Sequence, residues 1–262
     1  MSTVKSGRCE ILVDADIVAF QSAVVCDTEI DWEDESDDVC ITTDLTVDIK
    51  ANMLNRIESI KQKVLSHHKN LRSNDIEITC CFTGKDNWRK QVYPSYKSNR
   101  KDKAKPTRLD EAVEILMNAF DHHLVTGFEA DDLLGMLQSS SFHTTIIASI
   151  DKDLLQIDGW HYNWKRDEHT YVSNGWKQHL IQWLAGDTVD GYSGVARIGV
   201  KKATKLLKDV DNYTDGIQFC KDFYELKGYS PEYTQQMAQV SFIMNDADMY
   251  INYEGKPVIP VF

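Results

Sequence analysis

The chain has 262 residues, 42% of them apolar and 27% charged, with a formal net charge of −12 and a pI near 5.1. These values suit a water-soluble α/β protein with a sizeable core, and they exclude a membrane span, since no run of about 18 apolar residues occurs. The start, MSTVKSGRCE, lacks the apolar core of a signal peptide, and the six cysteines show no CxxC spacing; free thiols and a cytoplasmic location are expected.

The first strand-like run, EILVDAD, carries Ile11, Leu12 and Val13 straight into Asp14 and Asp16. Residues 27–38, DTEIDWEDESDD, then hold eight acids and no base, two-thirds of the net charge, and read as a solvated loop because like charges cannot pack together. Residues 45–68 read as a long helix with one polar face. A second run, IEITCCFTG, ends at Thr83 and Gly84.

The stretch that follows, WRKQVYPSYKSNRKDKAKP (88–106), has seven Lys or Arg, and Asp102 is its sole acid. Trp88, Tyr93 and Tyr96 are interleaved among the cations Arg89, Lys90, Lys97, Arg100, Lys101, Lys103 and Lys105. Cations neutralise phosphates and aromatic faces stack on bases, so the pattern suits a nucleic-acid strand. A solvated basic loop explains the charge equally well but not the aromatics.

Thr107 is expected to cap a helix reaching Phe120, with Leu109, Val113, Leu116 and Phe120 on one face. A strand-like HHLVTGF leads into FEADDLLGMLQ, whose Ala130, Leu133, Leu134 and Leu137 form a buried helical stripe. Its first turn carries Glu129, Asp131 and Asp132, more acids than a helix dipole calls for. The third apolar run, TTIIASIDKD, ends in Asp151 and Asp153. A helix over 177–185 stops at AGDTVDGYSG, which holds Asp187 and Asp190. The next segment, GVARIGVKKATKLLK, carries Arg197, Lys201, Lys202, Lys205 and Lys208 with no acid. There Gly194 and Gly199 are expected to allow a tight turn between two short helices, with backbone N–H groups open to a phosphate. Two more helices are expected beyond 210.

Short β-branched runs separated by helices predict an α/β fold with a mainly parallel central sheet flanked by helices. Ligands of such sheets bind beyond the carboxyl ends of the strands. Residues 1–185 are expected to form the α/β core, including the basic region 85–108, and 186–262 a helical region. Asp14, Glu129, Asp131, Asp132, Asp151, Asp153, Asp187 and Asp190 should then gather at one edge. Bare, they would repel; divalent cations with oxygen ligands relieve this, and two Mg²⁺ or Mn²⁺ ions about 4 Å apart suit phosphodiester hydrolysis. The pairs His67–His68 and His122–His123 have poor spacing for joint metal ligation, so all eight histidines read as structural or surface residues. Nucleotide-binding glycine motifs and GxSxG are absent.

The pieces LVDAD, WRKQVYPSYKSNR, FEADDLLGML, ASIDKDLLQ and LAGDTVDGYSGVARIGVKKA, in this order over residues 10–250, resemble the flap endonuclease and 5′-nuclease superfamily. FTGKDNWRK, GDTVDGYSG and QMAQVSFIMN resemble in particular the stand-alone 5′→3′ exonucleases of short-tailed bacteriophages, relatives of the 5′-nuclease domain of bacterial DNA polymerase I. The resemblance implies a PIN-like fold with a helical arch and a helix-three-turn-helix element. It implies a metal-dependent 5′→3′ exonuclease with flap endonuclease and RNase H-like activity, acting as a monomer in phage replication and recombination within the host cytoplasm. Its partners would be duplex DNA with a 5′ end, nick or flap, and RNA/DNA hybrid. Asp14, Glu129 and Asp131 would serve a first metal with Asp132 close by; Asp151, Asp153 and Asp190 would serve a second beside Asp187. Lys97 and Arg100 would contact the scissile phosphate. Arg89, Lys90, Tyr93, Tyr96, Lys101 and Lys103 would meet DNA, as would Gly194, Arg197, Gly199, Lys201 and Lys202, whose element holds K⁺ in relatives.

One departure stands out. The family usually has an Asp after the Phe of the second strand, where this chain has Thr83, and the phage relatives have one at the position of Gly84. Asp16 or Asp86 could compensate. Two rival readings share the layout: a DNA-binding protein that has lost catalysis, and a PIN-type endoribonuclease, which lacks the basic arch.

Overall fold

The computed structural model describes residues 7–30, 40–43, 48–100 and 104–262. In chain order they form β1 (Cys9–Asp14), α1 (Ala15–Val24), β2 (Asp27–Ile30), β3 (Cys40–Thr43), α2 (Ile49–His67), β4 (Ile76–Thr83), α3 (Arg89–Val92), α4 (Leu109–Ala119), β5 (Asp121–Val125) and α5 (Ala130–Ser140). Then come β6 (Thr144–Ala148), β7 (Gly159–Asn163), β8 (Glu168–Val172), α6 (Trp176–Ala185), β9 (Gly186–Asp187), β10 (Tyr192–Ser193), α7 (Val200–Leu206), α8 (Tyr213–Leu226), α9 (Pro231–Ser241) and α10 (Ala247–Tyr250).

The central sheet has the order β5-β4-β1-β6-β7-β8, parallel except for β8, which runs antiparallel to β7. The chain leaves β1 for β4 on one side and later returns to β6 on the other, so β1 lies at the topological switch point where open sheets bind ligands. Side chains alternate across the pleat. Ile11, Val13, Cys80, Phe82, Ile146 and Ala148 face one layer, with Ala15, Val18 and Ala19 of α1, the α2 stripe Met53, Ile57, Ile60 and Val64, and Ala112 and Leu116 of α4. Leu12, Cys81 and Ile147 face the other, against Leu133 and Leu134 of α5 and the segment Phe242–Met244. Both faces are covered, as the near-continuous apolar strands require. A third cluster joins Leu180, Trp183 and Leu184 of α6 to α7, α8 and α9 through Ala203, Leu207, Cys220, Tyr224 and Met237.

The structure refines the sequence reading along the chain. The acidic segment begins as a strand, because β2 pairs antiparallel with β3; residues 31–38 of it lie outside the described residues. Thr107 does not cap α4: its N–H donates to Asp27 at 3.0 Å, and Arg108 holds the cap position, paired with Glu111. In the region 85–108, expected as the helical arch, the described residues hold one α-turn, α3, and a 3₁₀ turn at Ser98–Arg100. Gly194 and Gly199 lie on the α6–α7 connection, which begins as the β9–β10 hairpin, so the flanking helices are α6 and α7.

Candidate active site

Asp14 ends β1 and caps α1, accepting from the Ile17 N–H at 3.4 Å and from the Ser149 hydroxyl at 2.7 Å. Beyond the end of β6, the Asp151 N–H donates to Ser149 Oγ at 3.0 Å, and the Asp153 N–H to Asp151 Oδ1 at 2.8 Å. Glu129, Asp131 and Asp132 open α5, and Asp187 and Asp190 sit on the β9–β10 hairpin. Burial pushes the Asp14 carboxyl up to about 7, against the Ser149 hydrogen bond and with help from the charges of Asp16 and Asp151. Asp131 is raised well above its ordinary value by burial and by Asp14 and Asp151. Asp153 rises to about 7 through burial, Asp151, Asp187 and Asp190. These carboxylates therefore crowd one edge and oppose one another's ionisation. Asp153 Oδ1 is buried without a hydrogen-bond partner. An all-oxygen set of mutually repelling acids with a bare buried acceptor fits hard divalent cations.

Asp132 is the exception. It is 0% exposed and turned inward, accepting from Arg89 Nη1 and Nη2 (both 2.8 Å), Trp88 Nε1 (3.1 Å), the Met244 N–H (3.1 Å) and the Glu129 N–H (3.2 Å). With its oxygens engaged this way, it is a scaffold for the first turn of α5 and not the metal-facing acid expected.

The basic stretch is likewise split. Arg89 is 2% exposed, donating to Glu129 at 2.9 Å and to the Phe242 carbonyl as well as to Asp132. Trp88 is fully buried, and Tyr96, 3% exposed, donates its hydroxyl to Glu129 (3.0 Å) and Asp190 (2.9 Å). Arg89, Tyr96 and Trp88, all expected on a strand-binding surface, are thus buried, with Arg89 and Tyr96 hydrogen-bonded to the carboxylates. Lys97 and Arg100 do face the edge. Lys97 Nζ lies 2.5 Å from Glu129 and 3.7 Å from Asp190, and Arg100 Nη2 lies 2.6 Å from Asp190. Burial alone would raise the Glu129 carboxyl; the Lys97 and Arg89 cations outweigh it and hold the group down at about 2. Lys97 adopts a left-handed backbone (φ 53°) and donates its N–H to the Asp190 carbonyl at 2.8 Å, while Asn99 Nδ2 reaches the Thr188 and Val189 carbonyls. Lys90 is exposed and Tyr93 half-buried; Lys101 and Lys103 lie outside the described residues.

Sequence reasoning left Asp16 and Asp86 as alternatives, and the structure separates them. Asp16 Oδ2 accepts from the Thr83 N–H at 3.0 Å, at the end of β4, and burial raises its carboxyl, with Glu129 and Lys97 among its charged neighbours. Thr83 Oγ1 accepts from the Ala130 N–H at 3.1 Å, locking β4 to the start of α5. Gly84 admits no side chain: a Cβ there would collide with the Val125 carbonyl. Asp86 is exposed on the loop beyond. The signal for Asp16 was its place two residues after Asp14.

On the α6–α7 connection, Gly194 packs against the Leu184 carbonyl and the Gly186 N–H so closely that no Cβ fits. Gly199 has open space around it and an ordinary φ of −96°, so the turn does not depend on glycine there. Arg197, Lys201, Lys202, Lys205 and Lys208 are all exposed, and Lys202 Nζ donates to the Arg197 carbonyl at 3.1 Å.

Comparison with known proteins agrees with this architecture. The exonuclease of Escherichia phage T7 is 29% identical over 200 residues, covering 72% of this chain and 63% of its own length. The exodeoxyribonuclease of Enterobacteria phage T3 is 29% identical over 196 residues, 71% of this chain and 62% of its own. A Shewanella flap endonuclease Xni is 29% identical over 185 residues, 59% and 66% respectively. The chain thus spans less than two-thirds of the length of these relatives. Among solved structures, the T5 D15 protein co-crystallised with metal ions superposes with a TM-score of 0.64 over 89% of both chains at 15% identity, a likeness of fold. The family described as 5′-3′ exonuclease, N-terminal resolvase-like domain, matches residues 34–177. That match covers more than half of the chain, which therefore belongs to this 5′-3′ exonuclease family and, with it, to the flap endonuclease/5′-nuclease superfamily.

Proposed function

We propose that the protein is a divalent-metal-dependent 5′→3′ exonuclease, with flap endonuclease and RNase H-like activity, hydrolysing phosphodiester bonds at a 5′ end, nick or flap of duplex DNA. The observation that carries this is the crowded carboxylate edge with a bare buried acceptor on Asp153, faced by Lys97 and Arg100. Asp14, Asp16, Glu129 and Asp131 would hold one Mg²⁺, and Asp151, Asp153, Asp187 and Asp190 a second; Mn²⁺ has the same ligand preference. When bound, two such ions activate water and neutralise the leaving oxygen.

The chain's own residues do the rest. Lys97, drawn between Glu129 and Asp190, presents an ammonium where charge develops on the phosphoryl oxygens, and Arg100 adds a second cation at the rim. Ser149 orients Asp14, and Thr83 orients Asp16. Arg197, Lys201 and Lys202 bind duplex phosphates without reading sequence, with Lys90 and Tyr93 along the path of the 5′ strand. In this reading residues 1–185 carry the chemistry and 186–262, with the α6–α7 connection as a helix-three-turn-helix element and K⁺ site, carry the duplex. The phage T7 and T3 exonucleases among its relatives favour a role in phage DNA replication and recombination.

Digestion of 5′-labelled duplex, nicked and flapped DNA tests the proposal. Mg²⁺-dependent release of nucleotides, abolished by chelator and by Asp153→Asn, is expected. Undiminished cleavage by Asp153→Asn would reject the metal assignment.

A further inference from the structure

Three histidines far from the carboxylate edge converge at the end of α2. His67 is the last residue of that helix, and His68, at φ −101° and ψ 74°, leaves helical geometry. There the two rings meet edge-to-face at 4.8 Å. His169, on the antiparallel strand β8, stacks on His67 at 4.0 Å and meets His68 edge-on at 5.4 Å. One ligand nitrogen from each of the three lies within 4.8 Å of those of the other two. Two of the nitrogens have nothing to bond to. His68, 6% exposed, has a buried Nε2 without a hydrogen-bond partner, and so has His169 at Nδ1. Unpaired buried nitrogens are costly, so the fold keeps them against a penalty.

We propose that His67, His68 and His169 form a second metal site, binding one divalent transition-metal ion of the zinc class and tying the end of α2 to β8. Imidazole nitrogens suit zinc, copper and nickel and not Mg²⁺, so the site is chemically distinct from the all-oxygen edge. Nitrogens about 2.0–2.1 Å from a tetrahedral ion lie ~3.3 Å apart, so loading closes the set by no more than about 1.5 Å. His67 is the exposed member of the three, so its ring is the one with solvent beside it for that closure. Water takes the fourth position. Tyr162 stacks on the far side of His169 at 4.4 Å and Trp160 packs edge-on against His68 at 4.7 Å, restricting both rings.

The test titrates Zn²⁺ into the chelator-treated 262-residue protein while following the imidazole nitrogens by NMR. No histidine belongs to the carboxylate set, so ring shifts report this site alone. Expected are slow-exchange shifts of three histidines saturating at one equivalent of Zn²⁺ and unaffected by Mg²⁺. In parallel, Co²⁺ should give the visible absorption of a nitrogen-rich tetrahedral centre. His67→Ala, at an exposed position, should abolish both signals while melting as the parent does in metal-free buffer. Its affinity loss should exceed the ~10–100-fold of an outer-shell change. His169→Gln is the second variant, with the same expectation. Unshifted histidine rings, or a one-equivalent imidazole signal that survives both substitutions, would overturn the proposal.

Discussion

Replacing Arg89 by methionine would keep most of its volume and remove its charge. The guanidinium makes three hydrogen bonds to carboxylates, at 2.9 Å to Glu129 and 2.8 Å twice to Asp132, and a fourth to the Phe242 carbonyl. At ~1.5–3 kcal/mol for each charge-assisted bond, the gross value is about 6–12 kcal/mol. The cost of taking the guanidinium itself out of water offsets more than half of that. What remains is the penalty of leaving Glu129, 5% exposed, and Asp132, 0% exposed, without their shared cation. Breaking such a buried pair typically costs about 3–5 kcal/mol, and that is the loss expected for Arg89→Met in urea unfolding followed by circular dichroism. Arg89→Lys, which keeps the charge but cannot bridge both acids, should fall between the two. The measured quantity is the urea midpoint at constant slope. A loss below about 1 kcal/mol for Arg89→Met would refute the account of Arg89 as the cation on which the first turn of α5 is built.

Other perturbations separate the remaining roles. His179 is buried, bonded to the Ala238 carbonyl and the Tyr213 hydroxyl, and burial lowers it from 6.5 to about 4. The unfolded chain therefore takes up the proton first, and stability present above pH 6.5 should be lost as pH falls toward 4, by up to ~3 kcal/mol at 1.36 kcal/mol per unit. His179→Gln should flatten that part of the urea-midpoint profile; an unchanged profile would discount His179. Asp16→Asn should slow Mg²⁺-dependent cleavage by about 10–100-fold while Asp86→Asn changes it less than about twofold, and the reverse order would return Asp86 to consideration. The double change Lys201→Ala with Lys202→Ala should reduce the slope of log affinity against log salt by about 0.9 for each phosphate no longer neutralised, alike for all DNA sequences. A sequence-selective weakening would contradict backbone binding there.

Strands buried on both faces were readable: Ile11–Val13, Cys80–Phe82 and Ile146–Ala148 are continuous apolar runs rich in β-branched and small residues. The edge pair β7–β8 was not, because Trp160, His161, His169 and Tyr171 carry polar atoms and no clean alternation. The β2–β3 hairpin was hidden by the acidic segment, whose charge argued for solvent. Among the acids, position in sequence could not say which would turn inward. Asp132 stands three residues after the residue preceding α5, the spacing of a capping box, and that local rule prevailed over attraction to a metal. The basic stretch misled for a related reason: Trp88, Arg89 and Tyr96 carry N–H and O–H groups that serve buried carboxylates as readily as a nucleic acid. His67 and His68 are neighbours in sequence, and His169, 101 positions beyond His68, is brought near them only by the sheet.

The seam between the basic stretch and the β9–β10 hairpin has a mechanical consequence. The Lys97 N–H on the Asp190 carbonyl, Asn99 on the Thr188 and Val189 carbonyls, and Arg100 on the Asp190 carboxylate are stitches on one short length of chain. The same hairpin is held at its other end by the Gly186–Gly194 contact, which leads directly into the lysines of α7. The path from α7 to the Lys97 ammonium thus runs through hydrogen-bonded and closely packed backbone. Lys97 itself sits in a left-handed conformation that a non-glycine residue keeps only when its surroundings hold it there. Cutting the stitches at Asn99 would let Lys97 relax, and the protein would then grip its substrate and fail to aim at it.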